Sequence, residues 1–465
     1  MLQRIFFCFA LLCSLGWSGL HAEEKSNNAW SLHSAAGLPD WLKLSVQHRA
    51  RYETLSDTFK RNGTGGDQVL ALRTNLMVEA VLDSFRIGAE LIDSRSELDD
   101  SGTPVNTSLV NEVALVQAYL AWQGRNFLGS GLDAEFKFGR QTMDVGSRRL
   151  IARNKFRNTI NNFNGFDFTL RSGNNWHWRN FVVLPVSRLP NNAADIRRGV
   201  VEFDEENFNV LFAGSFLSIG NLPFGSTGEL YFFQLSEEDT AVTPSANRHL
   251  SNPGLRWFRP AAVNRFDFEL ESALQNGTSR ASTSASDIID LDHFAYFGHV
   301  ALGYTFDLPW QPRFLLQYDY ASGDKDPTDG NNGRYDTLFG ARRFEFGPTG
   351  IWGAFARSNI NTPGIRLEIK PGPTFDAYIA HRAYWLAENR DQWVGSGISD
   401  PSGRSGSFIG QQTEIRIRWN AIPDLVKFES GWAHLYKGDF AKNAPGAPTN
   451  QSDSNYFYAA TTLAF

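Results

Sequence analysis

The feature that most constrains this chain is a period-two alternation of apolar and polar residues, repeated in stretches of about ten residues bounded by turn residues. Residues 413–419, TEIRIRW, put Ile415, Ile417 and Trp419 on one face and Glu414, Arg416 and Arg418 on the other. Residues 364–370, GIRLEIK, set Ile365, Leu367 and Ile369 against Arg366, Glu368 and Lys370. Residues 265–272, RFDFELES, set Phe266, Phe268 and Leu270 against Arg265, Asp267, Glu269 and Glu271. Eighteen such stretches begin near residues 41, 68, 85, 113, 131, 163, 176, 198, 207, 227, 262, 293, 312, 360, 374, 407, 425 and 454. A soluble sandwich also alternates, but its apolar face needs a partner sheet. In a membrane barrel that face meets lipid, and closure removes the strand edges that lipid cannot satisfy.

Composition agrees with a barrel. Aromatic residues make up 14% of the chain, yet the mean hydropathy is only −0.33. After the N-terminus no run approaches the roughly 18 apolar residues of a membrane helix. The expected fold is all-β: a single transmembrane antiparallel barrel of about 18 strands, with short periplasmic turns and long extracellular loops. An even count puts both termini in the periplasm and makes odd strands run outward. Segments 323–350 and 387–406 then fall outside the cell, and the turn at 420–424 falls inside.

The ends of the chain point the same way. Arg4, the apolar run 5–17 and Ala22 read as a secretory signal peptide over 1–22. Residues 23–40 are then a periplasmic N-terminal segment, and 41–465 the barrel. Both cysteines, Cys8 and Cys13, fall inside the signal, which leaves the exported part without disulfide or thiolate ligand. The chain closes on YFYAATTLAF, with Phe457, Ala459, Thr461, Leu463 and Phe465 on one face. A last strand ending in Phe resembles the recognition signal of outer-membrane barrels, so the barrel assembly machinery is an expected partner, along with lipid and lipopolysaccharide. The net charge of −6 argues against nonspecific nucleic-acid binding.

The densest functional signal is residues 139–158, GRQTMDVGSRRLIARNKFRN. Arg140, Arg148, Arg149, Arg153, Lys155 and Arg157 stand there against one acid, Asp144. Six like charges in one connection are costly unless something negative visits, and arginine's planar fork suits a carboxylate. The segment follows the fifth strand, the connection that folds into the lumen in general porins, and by analogy it is expected inside; the alternative is an exposed basic loop on lipopolysaccharide phosphates. Inward strand positions add Arg73, Arg366, Lys370, Arg382, Arg416 and Arg418, accompanied by Glu79, Glu269, Glu368, Glu414 and Asp376. Most of these would pair to stiffen the wall, and a minority would set selectivity.

The stretch 139–170 resembles the signature of the alginate export family of outer-membrane proteins. The matching residues are Gly139-Arg140-Gln141, Arg149-Leu150-Ile151, Arg157-Asn158 and Phe163-Asn164-Gly165. A second block, YDYASGDKDPTDGNNGRYDTLF at 318–339, is similar to the family's Tyr-x-Tyr-x-Ser-Gly-Asp strand exit and acidic loop. The resemblance implies an 18-stranded barrel with an electropositive pore passing an anionic polysaccharide, an alginate-like polyuronate. A periplasmic secretion complex is a further candidate partner. One departure is the short turn near 420–424, where the alginate exporter carries a long periplasmic plug loop.

Other classes have weaker support. General anion or nutrient uptake needs the same pore physics as export. A barrel enzyme needs a catalytic constellation, and neither a G-x-S-x-G elbow nor an H-x-x-x-H pair occurs. A surface receptor would have a plugged lumen without a continuous basic path. No cofactor is expected. Asp324, Asp326 and Asp329 approximate a calcium loop but are one residue off the EF-hand spacing. Trp176, Trp178, Trp385, Trp393, Trp419 and Trp432 are expected at the membrane interfaces, with a loop position open for Trp393.

Overall fold

The computed structural model describes residues 31–100, 102–173, 175–240 and 244–465. The expected signal peptide and its cysteines lie outside the described residues. Eighteen long strands carry the fold. They are β1 Leu42–Ser56, β2 Asp67–Leu82, β3 Phe85–Glu97, β4 Asn111–Gly124, β5 Asp133–Gln141 and β6 Phe163–Ser172. Next come β7 Trp176–Ser187, β8 Val210–Leu222, β9 Ser226–Glu237, β10 His249–Arg259, β11 Arg265–Ser279 and β12 Leu291–Thr305. The last six are β13 Arg313–Ala321, β14 Ile360–Gly372, β15 Phe375–Trp385, β16 Phe408–Ile422, β17 Val426–Lys437 and β18 Ser454–Ala464.

Each strand pairs antiparallel with the next, and β18 returns to β1, with Ala464 opposite Gln47 and Asn455 opposite Ser56. Val46 and Phe465 exchange backbone N–H···O bonds of 3.1 and 2.8 Å, so the terminal residue takes part in closing the ring. Deleting residues 457–465 therefore removes most of the β18 ladder and leaves edges that lipid cannot satisfy. The expected outcome is loss of the heat-modifiable band in the outer-membrane fraction and degradation of the chain. A normally folded, membrane-inserted truncation would contradict closure through β18.

Alternation sets the two faces of the wall as the sequence predicts. Ile415, Ile417 and Trp419 point out, while Glu414 is only 3% exposed. Ile365, Leu367 and Phe266 also face out, and Asp267 and Glu271 are buried inward. Replacing Ile417 by Arg is expected to cost about 2–4 kcal/mol if it lies near the bilayer midplane. A water-soluble thiol reagent should label cysteines at 416 and 418 and spare 417. The opposite labelling pattern would shift the register by one. Turns at one end are short, as at 83–84 and 373–374, and the β16–β17 turn is likewise short; loops at the other end reach the length of 322–359. The short-turn end is periplasmic.

Three expectations need correction. The stretch near 198 is not a wall strand: Ala193–Arg197 is a short helix, and Val201 and Phe203 are exposed in the loop after β7. The strand the sequence hides is β10, whose Pro253-Gly254 pair reads as a turn. Proline lacks a ladder N–H, and the β10–β11 pairing skips 252–253. The count of eighteen survives because one error offsets the other. Next, the β13–β14 connection does not stay outside the barrel: Tyr335, Phe346 and Trp352 are at most 1% exposed within it. Finally, Trp393 is buried beneath the outer loops, stacked on Phe59 with ring centroids 5.4 Å apart, and does not sit at a membrane interface.

Candidate functional site

The site begins where the wall releases a loop. Gly139 and Gly165 face each other across β5 and β6 with φ of 112° and 153°. A Cβ on Gly139 would lie 2.4 Å from the Ala118 carbonyl oxygen, and one on Gly165 2.3 Å from that of Val182. Only glycine allows the neighbouring strands so close in this conformation. Beyond this point residues 142–162 turn inward. Their backbone carbonyls are met by wall arginines: Arg49 Nη1 donates to Lys155 (2.9 Å) and Phe156 (3.1 Å), and Arg73 Nη1 to Arg157 (3.0 Å). The Asn158 amide donates to the carbonyls of Leu72, Arg95 and Leu109. An irregular segment inside a barrel needs such partners, because each buried backbone group must be paired.

The β13–β14 loop meets this segment from the opposite side. Arg149 lies between them, 2% exposed. It donates to Glu269 and Glu271 of β11 and, at 2.6 Å, to Glu345 of the β13–β14 loop. Arg357 binds the other oxygen of Glu345. On the wall, Arg343 reaches Glu414 at 2.6 Å, the Ile351 N–H donates to Glu53 at 2.9 Å, and Trp352 Nε1 donates to Gln412 at 3.0 Å. Trp352, Phe59, Trp393 and Phe355 form a packed aromatic roof over this assembly. The two loops thus form one body anchored to β1, β3, β11 and β16, with Arg153 forking Glu90 of β3.

Two chambers remain beside this body. The outer one, of about 420 Å³, is lined by Arg51, Arg149, Arg157, Arg188, Arg342 and Arg357 and by no acidic side chain. The inner one, of about 280 Å³, is lined by Arg49, Arg51, Arg148, Lys155, Arg343, Arg416, Arg418 and Lys427, with Glu429 its sole acid. Arg51, Asn154 and Ala341 belong to both walls.

Ion pairing separates these cations into two kinds. Arg51 pairs with Glu53 at 2.7 Å, and Arg416 and Arg418 share Asp376. Among the described residues, Arg157, Arg188 and Arg342 have no carboxylate at ion-pair distance. Arg157 and Arg188 converge on the neutral Asn161 Oδ1, whose amide nitrogen is fixed by the carbonyls of Ala152 and Phe339. In the inner chamber the same holds for Arg49, Arg148 and Lys155, and Arg148 rests over the Phe344 ring at 5.4 Å. Burial, together with the charges of Arg188 and Arg342, holds the Arg157 guanidinium well below the usual arginine range. Burial alone brings Arg342 down to about 10. Arg342 remains charged at neutral pH, and an arriving anion would restore what burial removes from both groups.

The sequence-predicted residues fall into three groups. Arg148, Arg149, Arg157, Arg416 and Arg418 line the chambers. Arg73 and Arg366 hold loop carbonyls, Arg366 donating to Phe344 at 2.9 Å. Arg140, Arg153 and Arg382 bind Glu206, Glu90 and Asp319. The sequence reading missed Arg51, Arg188, Arg342 and Arg357. A usable signal was the pair Arg342-Arg343 followed by Ile351-Trp352-Gly353-Ala354-Phe355, an apolar run too bulky for an exposed loop. The acidic residues that approximate a calcium loop have protein partners. Asp326 accepts from Thr328 and faces Arg390 at 3.0 Å, and Asp329 accepts from the Asn331 N–H. Among the described residues the one three-member group with metal-ligand spacing is His299, Asp319 and Glu345. Arg149, Arg357 and Arg382 already surround its carboxylates, which makes it an ion-pair hub.

A wall with an apolar outer face, enclosing a charged and narrowed interior, defines an outer-membrane β-barrel channel. The chain belongs to the alginate export family, whose sequence profile matches residues 40–455. Similar solved structures are Pseudomonas aeruginosa proteins. OccD3 (OpdP) is 12% identical, covering 92% of this chain and 91% of its own, with a TM-score of 0.55. OpdK with vanillate is 12% identical over 91% and 98%, with a TM-score of 0.57. OccK2 (OpdF) in complex with glucuronate is 11% identical over 91% and 98%, with a TM-score of 0.55. They share the fold. No curated protein sequence matches the chain.

Proposed function

We propose that the channel is anion-selective and passes carboxylated saccharides of the alginate type, handed along its unpaired cations. The observation that carries this is the outer chamber, where Arg157, Arg188 and Arg342 stand together without an acid. A uronate carboxylate sheds water and counterions on entering a narrow lumen, and fixed guanidinium forks replace that hydration. Arg49, Arg148 and Lys155 repeat the arrangement in the inner chamber, so a solute released by one set meets the next. Weak, repeated sites suit conduction, because no single site traps the solute. Membership of the alginate export family and the glucuronate bound by OccK2 (OpdF), a protein of the same fold, support a uronate over other anions. The paired wall arginines hold loops and shape the path.

The test is current block in planar bilayers. Glucuronate added to either side should interrupt the chloride current at concentrations where glucose does nothing, and raising the salt should weaken the block through screening. Equal effects of glucuronate and glucose would overturn the proposal.

A further inference from the structure

We infer that the outer chamber is a binding site for one inorganic dianion, hydrogenphosphate or sulfate, which joins three loops of the barrel to one another. The inference goes beyond the transport reading and does not rest on it.

Three separate connections bring cations to this room. Arg157 comes from the β5–β6 loop, Arg188 from the β7–β8 loop and Arg342 from the β13–β14 loop. Arg157 and Arg188 both donate to Asn161 Oδ1, so their guanidinium groups lie side by side. The charge of Arg342 acts on Arg157 from the third loop. Like charges held together away from bulk water repel strongly. Asn161 is neutral and offsets none of this charge. Asp204 acts on Arg188 through space, but its two oxygens accept from the Asn111 amide and the Leu189 N–H.

The hydrogen-bond count points to the same ligand. A guanidinium carries five N–H donors. Arg157 commits two of them, to Thr159 and Asn161, and Arg188 three, to Thr107, Ile160 and Asn161. Among the described residues Arg342 makes no side-chain hydrogen bond. The Nε of Arg357, a residue only 2% exposed, and the buried Thr349 hydroxyl border the same room, also without a hydrogen-bond partner among the described residues. Buried polar groups are rarely left unpaired.

The class of ion follows from this arrangement. A carboxylate has two oxygens in one plane and a single charge, which suits one fork. Hydrogenphosphate and sulfate carry two charges and a tetrahedron of oxygens, so one ion meets forks from several directions. The chamber walls are inward-facing residues and loop segments, so the ion is a free one and not a lipid headgroup. Bound there, it links loops whose cations repel, and it favours the charged form of each guanidinium.

The test is isothermal titration calorimetry on the full-length protein in detergent at about 0.15 M chloride. The titrants are phosphate, sulfate and nitrate. Phosphate and sulfate should bind saturably at one site per chain, at least about tenfold more tightly than nitrate. Saturating sulfate should slow hydrogen exchange in 142–162, 188–209 and 335–358 together. Arg157→Gln, Arg188→Gln and Arg342→Gln combined should weaken binding at least about tenfold while the barrel keeps its heat modifiability. Wild-type protein without a saturable phosphate or sulfate site would overturn the inference, as would binding that survives the triple substitution. Either result leaves the uronate reading intact. Uronates that fail to block current would overturn that reading and not this site.

Discussion

Replacing Arg149 by alanine is expected to give the largest change in conductance of any single substitution in this channel. Its guanidinium is the one positive group shared by Glu269, Glu271 and Glu345. Removing it leaves three carboxylates facing each other, with Arg256 near Glu269 (2.8 Å) and Glu271 (3.8 Å), Arg357 on Glu345, and the hydroxyls of Ser147 and Tyr231 on Glu271 as remaining partners among the described residues. Breaking a buried pair by deleting one member costs about 3–5 kcal/mol, because the remaining charge stays desolvated. The wall itself is held by its ladder and should survive, so the cost falls on the docking of the inward loops. Single-channel recordings should show higher and noisier conductance from a barrel that keeps its heat modifiability. Arg149→Lys should restore little, since a compact ammonium does not span carboxylates on two elements as the wider planar guanidinium does. An unchanged, quiet conductance in Arg149→Ala would mean that the loops are held elsewhere.

The second large effect concerns selectivity. Arg157→Gln, Arg188→Gln and Arg342→Gln combined remove the three outer-chamber cations that no acid compensates. Glutamine keeps a hydrogen-bonding end, so the bonds of Arg157 and Arg188 to Asn161 and nearby carbonyls have a replacement. Local fields in a narrow low-dielectric cleft raise counter-ion concentration by about 10- to 1,000-fold. The permeability ratio of chloride to potassium should therefore fall roughly tenfold or more in the triple variant. The loss should be larger at low salt than at 1 M, where the Debye length is about 3 Å. Neutralising Arg140, which binds Glu206 away from the chambers, should change selectivity little. Equal effects of the two changes would place the selective element outside the outer chamber.

The wall was legible in the sequence because a strand that faces lipid on one side and water on the other must alternate, and TEIRIRW and GIRLEIK do so without exception. The strand ending at Phe465 was legible for the same reason. The rule fails where function or geometry overrides alternation. In β10, Pro253-Gly254 imitates a turn. The loop segment containing Val200, Val201 and Phe203 alternates without pairing as a wall strand.

Within the site, the basic run 139–158 pointed to an inward loop because charge of one sign is readable from sequence. What that charge does was not readable. Arg149 and Arg153 look alike in the chain, yet one joins two loops to three acids and the other clamps a single wall glutamate. Partners 63 to 196 residues away decide which arginine is paired. The inward course of 335–358 was hidden because the same connection opens on the acidic DKDPTDG at 324–330, which reads as an outer loop. Its aromatic half becomes informative only once it is seen to have a barrel to enter.

The most direct test of the account is the reversal potential of the wild-type channel in a planar bilayer under a tenfold KCl gradient. Unpaired cations in both chambers predict a potential displaced toward that of chloride, with the displacement shrinking as total salt rises. A potential displaced toward that of potassium would show that conduction bypasses Arg157, Arg188, Arg342, Arg49, Arg148 and Lys155, and would contradict the account.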